Sequence, residues 1–312
     1  MSSSLINLNE VTEVDQISNQ YWKVIAKKLG GVPNVVKLIH GQLFVELKDV
    51  FIRFDKHGRL VPPLGLESKQ CDPNWAYHVR QPIINWAESL DRMKQYLYGK
   101  LSPLSIFASE YQDRGSKILD RIKQDEYLSK MLNGPYVVGV IPQLPSEVLT
   151  NYGNIFENIF CPAVQKAHDD IFSPGRTFKN YRAGELDNQV TVVESTRHNL
   201  LLQKAVEGNV VFVQCLQPLQ GYSINAQREV ISLFPDWIAL GGAIDISCSL
   251  IQYTPELTRD IKTPVYDCSA LQWQSPGYSF GWSVDGDEFG FGSRGSLGLA
   301  IGSCSGSLVC FG

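Results

Sequence analysis

The sequence predicts an α+β fold in which a helical middle packs on a mixed or antiparallel sheet and a β-rich segment follows. Three observations support this prediction. Apolar residues at helical spacing dominate the middle of the chain, and short apolar runs such as 136–141 and 210–215 have the length of buried strands. After Pro264 the composition changes to glycine, serine and aromatic residues.

The first part of the chain predicts one helix and one hairpin. Residues 13–29 carry apolar side chains on one helical face, and Gly30-Gly31 ends the pattern. Residues 42–54 alternate apolar and polar side chains, and residues 55–58 are typical of a turn. We therefore expect a β-hairpin or meander here.

The middle of the chain predicts helices separated by buried strands. After a loop over 62–80, Pro82 begins a helix that runs to about Tyr98, and a second helix covers 104–132 with a bend at Gly115. The remaining elements are a strand over 136–141, a helix from Ser146 that Pro162 restarts and that ends at Phe172, strands over 190–194 and 210–215, a helix from Ser223 to Phe234, and a strand over 238–253.

The segment after Pro264 predicts several short strands with tight turns, because aromatic residues there alternate with small ones. No low-complexity linker precedes it. We expect residues 1–263 to form an α+β main domain and residues 264–312 to form a β-rich Gly/aromatic C-terminal segment of the same domain.

Composition and charge restrict the function classes. With 312 residues, 44% hydrophobic and 19% charged, the chain suits a globular protein with a sizeable core. Its formal net charge of −4 disfavours a surface that grips nucleic acid through phosphates. The sequence has neither a signal-peptide pattern nor an apolar run of membrane length, so no membrane association is expected.

The cysteines indicate a reducing compartment. There are seven, an odd number without a CxxC pair, which predicts free thiols and a cytoplasmic location. Most lie beside apolar or small residues, where a thiol behaves as a small hydrophobe. Because no spacing of cysteines and histidines matches a zinc site, no metal is expected.

The glycine-rich segment of residues 290–298 is the most specific motif in the sequence. It contains the spacing GxGxxG, and only 17 residues of this sequence follow its third glycine. A dinucleotide fold needs a strand before this motif and a long helix after it, so no nucleotide cofactor is expected. The segment's candidate ligand-binding residues are Gly290, Gly292, Ser293, Arg294 and Gly295.

The same segment, as Gly-x-Gly-x-Arg-x-Ser-x-Gly, resembles the glycine-rich loop of the RAMP superfamily, the ferredoxin-like CRISPR proteins that bind or process RNA. The resemblance implies that loop amides and the Arg294 side chain hold RNA phosphates. The alternative is a glycine-rich hairpin at a crowded strand contact. In that hairpin Arg294 is a solvated turn residue, and its removal changes stability by less than ~0.5 kcal/mol.

A second glycine-rich segment, from Gly302 to Gly306, resembles the nucleophile loop of chymotrypsin-like proteases. The resemblance implies that Cys304 is a nucleophile and that backbone amides form its oxyanion hole. Those proteases continue with further strands and a helix that do not follow Cys304 in this sequence. The alternative is a strand that carries a small thiol.

Histidines and tryptophans supply the other candidates. His198 lies after a predicted strand end, where a proton-transfer group is well placed, and His168 is followed by Asp169 late in a predicted helix. A buried, hydrogen-bonded histidine or one at the C-terminal end of a helix dipole is the structural alternative. Trp273 and Trp282 line either an apolar ligand pocket or the core of a small sheet.

Three hypotheses of function follow. The leading one is an enzyme or binder that acts on a small organic molecule without a nucleotide cofactor, because the chain is of suitable size and lacks nucleic-acid charge. The second is an RNA-binding, RAMP-like protein. The third is a structural or assembly subunit, which needs no active site. The sequence leaves the reaction and the oligomeric state open.

Overall fold

The computed structural model describes residues 31–40, 52–273 and 277–312. Contacts within the chain divide it into one unit of residues 1–49 and another of residues 50–312. Every candidate site residue named above lies in the second unit.

In the first unit, helix α1 covers Val32–Ile39. The predicted helix over 13–29 lies outside the described residues, as does most of the predicted strand over 42–54. In the second unit, the predicted turn after that strand is present, because Phe54 and Leu60 form an antiparallel bridge around it.

Eight α-helices are described in the second unit, several of them short. They are α2 (Trp86–Tyr96), α3 (Ala108–Gln124), α4 (Tyr152–Ile155), α5 (Cys161–Phe172), α6 (His198–Glu207), α7 (Ile224–Val230), α8 (Ala243–Gln252) and α9 (Thr254–Leu257). One π-helical turn, Phe156–Phe160, joins α4 to α5.

Ten strands are described, and eight of them form one mixed sheet. They are β1 (Tyr136–Ile141), β2 (Thr177–Asn180), β3 (Val190–Val192), β4 (Val210–Gln220), β5 (Ile238–Leu240), β6 (Val265–Asp267), β7 (Leu271–Trp273), β8 (Tyr278–Asp285), β9 (Glu288–Gly295) and β10 (Cys304–Phe311). The large sheet has the order β1-β4-β10-β6-β8-β9-β2, with β5 also paired to β10. The other two strands, β3 and β7, pair separately. The fold is therefore α+β, as the sequence predicts.

Strand β10 lies inside the large sheet, between β4 and β6. It runs antiparallel to β4 and β5 and parallel to β6. All eight residues of β10 and all eleven residues of β4 are buried. Both faces of these strands are therefore covered, which agrees with the unbroken apolar runs at residues 210–213 of β4 and 308–311 of β10.

The predicted strand over 238–253 is wrong for most of its length. Only β5 is extended, and after Gly241-Gly242 the chain enters α8. The Asp245 carboxylate accepts a hydrogen bond from the Gly242 amide at 2.8 Å and so caps the helix. Every residue of α8 is buried, so its sequence has no polar face that would distinguish a helix from a buried strand.

Two predicted helices are shorter than expected. Helix α2 begins at Trp86 rather than at Pro82, because the Asn85 side chain accepts a hydrogen bond from the Glu88 amide and caps it there. The helix predicted over 104–132 is α3 followed by a separate 3-10 turn. The Asp125 carboxylate separates them, because it accepts hydrogen bonds from the backbone amides of Tyr127 and Leu128.

Most of the other predicted elements are present. The predicted strand over 136–141 is β1, and the strand over 210–215 extends to Gln220 as β4. The helix from Ser146 is broken into a 3-10 turn and the continuous α4–α5 segment. Ser223 caps α7 as expected, since its hydroxyl accepts a hydrogen bond from the Ala226 amide at 3.1 Å. No helix in the described ranges has the length and apolar character needed to cross a membrane.

Candidate functional site

The glycine-rich segment is strand β9 rather than a loop. All five of its candidate residues lie on this strand: Gly290, Gly292, Ser293, Arg294 and Gly295. The strand pairs antiparallel with β8 along its whole length, and over residues 288–291 it also pairs in parallel with β2. None of its glycines has a positive φ, so the backbone lacks the turn conformation that collects amides around an anion. Residues 290–295 therefore belong to the second strand of a hairpin, and residues 296–298 of the motif follow that strand, with Ser296 at φ 56°.

The Arg294 side chain is not a solvated turn residue, and that expectation is wrong. Its Nε donates to Asp267 Oδ1 at 2.9 Å, and its Nη2 donates to Cys304 Sγ at 3.1 Å. The side chain is 23% exposed, whereas that of Asp267 is 1% exposed. Arg294 of β9 is therefore linked to Asp267 of β6 and to Cys304 of β10. The ion pair is largely buried, but part of the Arg294 side chain remains accessible to solvent.

Both carboxylate oxygens of Asp267 accept hydrogen bonds, Oδ1 from Arg294 and Oδ2 from Gln227. Asp267 lies at the end of β6, and its Oδ2 accepts the hydrogen bond from Gln227 Nε2 at 3.0 Å. The same Gln227 Nε2 donates to the Tyr222 carbonyl at 3.0 Å, and Gln227 Oε1 accepts from the Ser269 hydroxyl. We refer to Arg294, Asp267, Gln227, Ser269 and Cys304 as the Arg294 cluster.

Two glycines on neighbouring strands leave room for the Arg294 cluster. A Cβ at Gly281 of β8 would lie 3.1 Å from Arg294 Cγ, which is tight for the arginine stem. A Cβ at Gly306 of β10 would overlap the Gln227 side-chain amide. Because Gln227 is fully buried and hydrogen-bonded, it has no free space to move into. The cluster thus depends on glycine at these two strand positions.

Burial and charge act in opposite directions in the cluster. Burial raises the pKa of the Asp267 carboxyl above its ordinary value, and Arg294 opposes that rise. Burial also works to lower the pKa of Arg294, but Asp267 and Cys304 outweigh it and raise that pKa. Burial raises the pKa of the Cys304 thiol to about 12, so this cysteine is protonated at neutral pH. The site offers a fixed guanidinium and a carboxylate, not an activated thiol.

A second polar group adjoins the Arg294 cluster at the end of β4. The Gln220 side-chain amide donates to the carbonyls of Tyr77 and Gly302 at 3.0 and 2.9 Å. Arg59 Nε donates to the Gln220 carbonyl at 2.7 Å, and Arg59 Nη2 donates to the Cys71 carbonyl at 2.7 Å. Strand β4 therefore ends in a hydrogen-bonded polar region next to the cluster.

Sequence reasoning missed Asp267, Gln227 and Gln220. A signal for part of this set is present in β4, where glutamines recur at every third position, Gln214, Gln217 and Gln220, in an otherwise apolar strand. A polar side chain in a fully buried strand needs a partner, so such a repeat indicates a buried polar network.

His198 is a buried residue at the start of α6. Its Nδ1 lies 3.2 Å from the Leu240 carbonyl, and its Nε2 lies 3.8 Å from Asp245 Oδ1 without a hydrogen-bond partner. Burial lowers the pKa of His198 to about 4 and raises the pKa of Asp245 to about 8. At neutral pH the imidazole is therefore uncharged. Its two polar neighbours lie at the end of β5 and in the first turn of α8.

His168 and Asp169 lie on α5, in a different environment from His198. The His168 ring is fully buried and stacks on Phe289 with ring centroids 5.4 Å apart, and its Nδ1 lies 3.3 Å from Asp169 Oδ1. Burial lowers the pKa of His168, and the Asp169 hydrogen bond opposes this. The three residues proposed for catalysis therefore do not form one site, and none of them contacts Arg294.

Trp273 and Trp282 are both buried and pack against other side chains of the protein. Trp282 is fully buried, and its ring centroid lies 5.5 Å from that of Phe289 and 4.9 Å from that of Phe291. Trp273 is 8% exposed, and the Arg182 guanidinium lies 4.5 Å from its ring centroid. Trp282 is a member of the sheet core, which was the alternative expectation.

The cysteines are free thiols, as the sequence predicts, and six of the seven are buried. We therefore expect a thiol reagent at pH 8 to modify one group rapidly in the native protein, the half-buried Cys71, and all seven after unfolding without reductant. Cys71→Ser should remove the rapid phase, whereas Cys304→Ser should not change it. Five or fewer thiols in the unfolded, unreduced protein would contradict the absence of a disulfide.

Fold and site together define an α+β protein with a glycine-framed arginine–carboxylate cluster at the centre of its sheet. No protein-family model, curated protein or solved structure matches the chain. Within the described ranges, no three His, Cys, Asp or Glu side chains are grouped so that they would hold a metal ion.

Proposed function

We propose that the protein acts on a small organic molecule that carries an acidic group, and that Arg294 binds this group. The observation that carries the proposal is the state of the Arg294 side chain, which is fixed by two buried partners and yet 23% exposed. An arginine held in this way is already oriented before a ligand arrives, which lowers the entropy cost of binding.

The chemistry of the cluster suits an acid. A guanidinium binds carboxylate and phosphate groups through paired hydrogen bonds and keeps its charge when partly buried. Asp267 lies behind the guanidinium at 1% exposure, and it holds Arg294 in place by accepting the hydrogen bond from Nε. Neither role needs a nucleotide cofactor.

The RNA hypothesis relies on the same Arg294 but receives less support. The amides of β9 lie in a strand that pairs with β8 and, over residues 288–291, also with β2, and not in an open loop that collects amides around an anion. The formal net charge of −4 also disfavours a polyanionic ligand. A small acid fits both facts better.

Thermal unfolding of the full chain with millimolar acetate, benzoate, malonate and inorganic phosphate tests the proposal. We expect at least one of these anions to raise the Tm of the wild type, and Arg294→Lys to weaken its binding by about tenfold because the paired hydrogen bonds are lost. Lysine keeps a positive charge beside Asp267, so this variant is expected to fold.

Arg259→Lys is the matched control, since Arg259 is also partly buried and pairs with Asp260 at 2.7 Å. It should leave anion binding unchanged. An equal response of both variants, or no anion effect on the wild type, would refute the proposal. Nanomolar binding of a short structured RNA, with a salt dependence that Arg294→Lys reduces, would favour the RNA hypothesis instead.

A further inference from the structure

An apolar cavity lies between the end of α2 and the segment that follows it, away from the residues of the Arg294 cluster. It has a volume of about 480 Å³. Met93 and Leu97, both buried, belong to its lining, and Leu101, Leu104 and Pro142 are among its other apolar residues. A volume of this size is within the ~300–1,000 Å³ range of small-molecule sites.

One charge accompanies this apolar lining. Lys94, in the last turn of α2, is the charged residue among the lining side chains. Among the described residues its side chain forms no ion pair or hydrogen bond. An apolar cavity with an unpaired cation is complementary to an amphipathic anion, whose tail the cavity buries and whose head the lysine attracts.

The volume sets the size of the tail. If each methylene-sized group takes the ~30 Å³ of a water molecule in the liquid, the cavity holds about 16 such groups. Because the cavity is partly open to solvent, a ligand need not fill all of this volume, and a straight-chain fatty acid of about ten carbons can lie in it. We propose that this cavity is a binding site for a medium-chain fatty acid, with the carboxylate at Lys94 and the chain against Met93 and Leu97.

Calorimetric titration of the full chain with hexanoate, octanoate and decanoate tests the site. Each pair of added methylenes is expected to tighten binding by about tenfold, because each buried methylene adds a nearly constant increment. Decanol serves as the uncharged comparison. Lys94→Gln should weaken decanoate binding by about threefold and leave decanol binding unchanged, as expected for an exposed ion pair.

Leu101→Trp places a large ring in the cavity from a half-buried position and should weaken both decanoate and decanol by at least about tenfold. Leu104→Trp serves the same purpose if the first variant does not fold. Lys123→Gln, an exposed lysine of α3 that lies 3.6 Å from Asp120, is the charge control. Affinity that is independent of chain length, or unchanged by the tryptophan variants, would overturn the proposal. Equal effects of Lys94→Gln and Lys123→Gln on decanoate would overturn the role of Lys94.

Discussion

Replacing Arg294 with methionine is expected to lower the free energy of unfolding by about 3 kcal/mol. The loss comes mainly from Asp267, which is 1% exposed and would lose the cation that compensates its burial. Removing one partner of a buried pair costs about 3–5 kcal/mol, and we expect the low end because the arginine is itself 23% exposed. Urea unfolding at neutral pH, followed by tryptophan fluorescence, measures the change.

The double variant Asp267→Asn/Arg294→Met should recover much of this loss, since no charge is then left buried. Arg259→Met is the matched control, with an expected cost below about 1 kcal/mol because its partner Asp260 is 45% exposed. If Arg294→Met and Arg259→Met lower the free energy of unfolding equally, the buried Arg294–Asp267 pair contributes no more to stability than the Arg259–Asp260 pair.

The pH dependence of Arg294→Met identifies the group responsible. The folded-state pKa of Asp267 is raised, so the stability linked to this carboxyl is present at low pH and is lost as pH rises through that pKa. Without Arg294 the pKa rises further. The stability difference between wild type and variant should therefore widen as pH rises through the raised pKa of Asp267. A constant difference across this rise in pH would exclude Asp267 as the source.

Trp282→Ala is expected to lower the free energy of unfolding by about 4 kcal/mol. The ring is fully buried and packs against Phe156, Phe289 and Phe291, with ring centroids 4.9–6.0 Å apart. Its removal leaves a cavity that the surrounding aromatic rings cannot fill. Thermal or urea unfolding gives the magnitude.

Trp282→Phe is the matched comparison for this position. It should cost less than about 1.5 kcal/mol, because it keeps most of the packing and the Trp282 Nε1 has no hydrogen-bond partner to lose. If Trp282→Ala instead leaves stability within about 0.5 kcal/mol of the wild type, Trp282 does not belong to the core.

Local signals in the sequence were sufficient for elements with clear ends. Gly134-Pro135 precedes β1, and the Ser223 hydroxyl caps α7, so both elements were predictable from residues close to their boundaries. Helix α8 was not, because a helix buried on all sides has the apolar pattern of a strand. Composition alone therefore could not assign residues 243–252.

The candidate site was only partly predictable. Arg294 was identified from a glycine motif whose glycines belong to a strand, and its partner Asp267 is 27 residues away in sequence. The two meet because β8 lies between β6 and β9 in the sheet. Strand order is set by long-range pairing, which no local pattern contains. Gln227 and Cys304 join the cluster through other strands and helices for the same reason.

The position of β10 has a consequence for synthesis on the ribosome. This strand is made after all the strands it joins, yet it lies between β4 and β6. Until residues 304–311 emerge, β4, β5 and β6 lack the partner strand that joins them, and unpaired strand edges are surfaces that pair with other chains. Premature termination before residue 304 would therefore release a chain in which these edges stay open, so β10 protects the strands made before it from self-association.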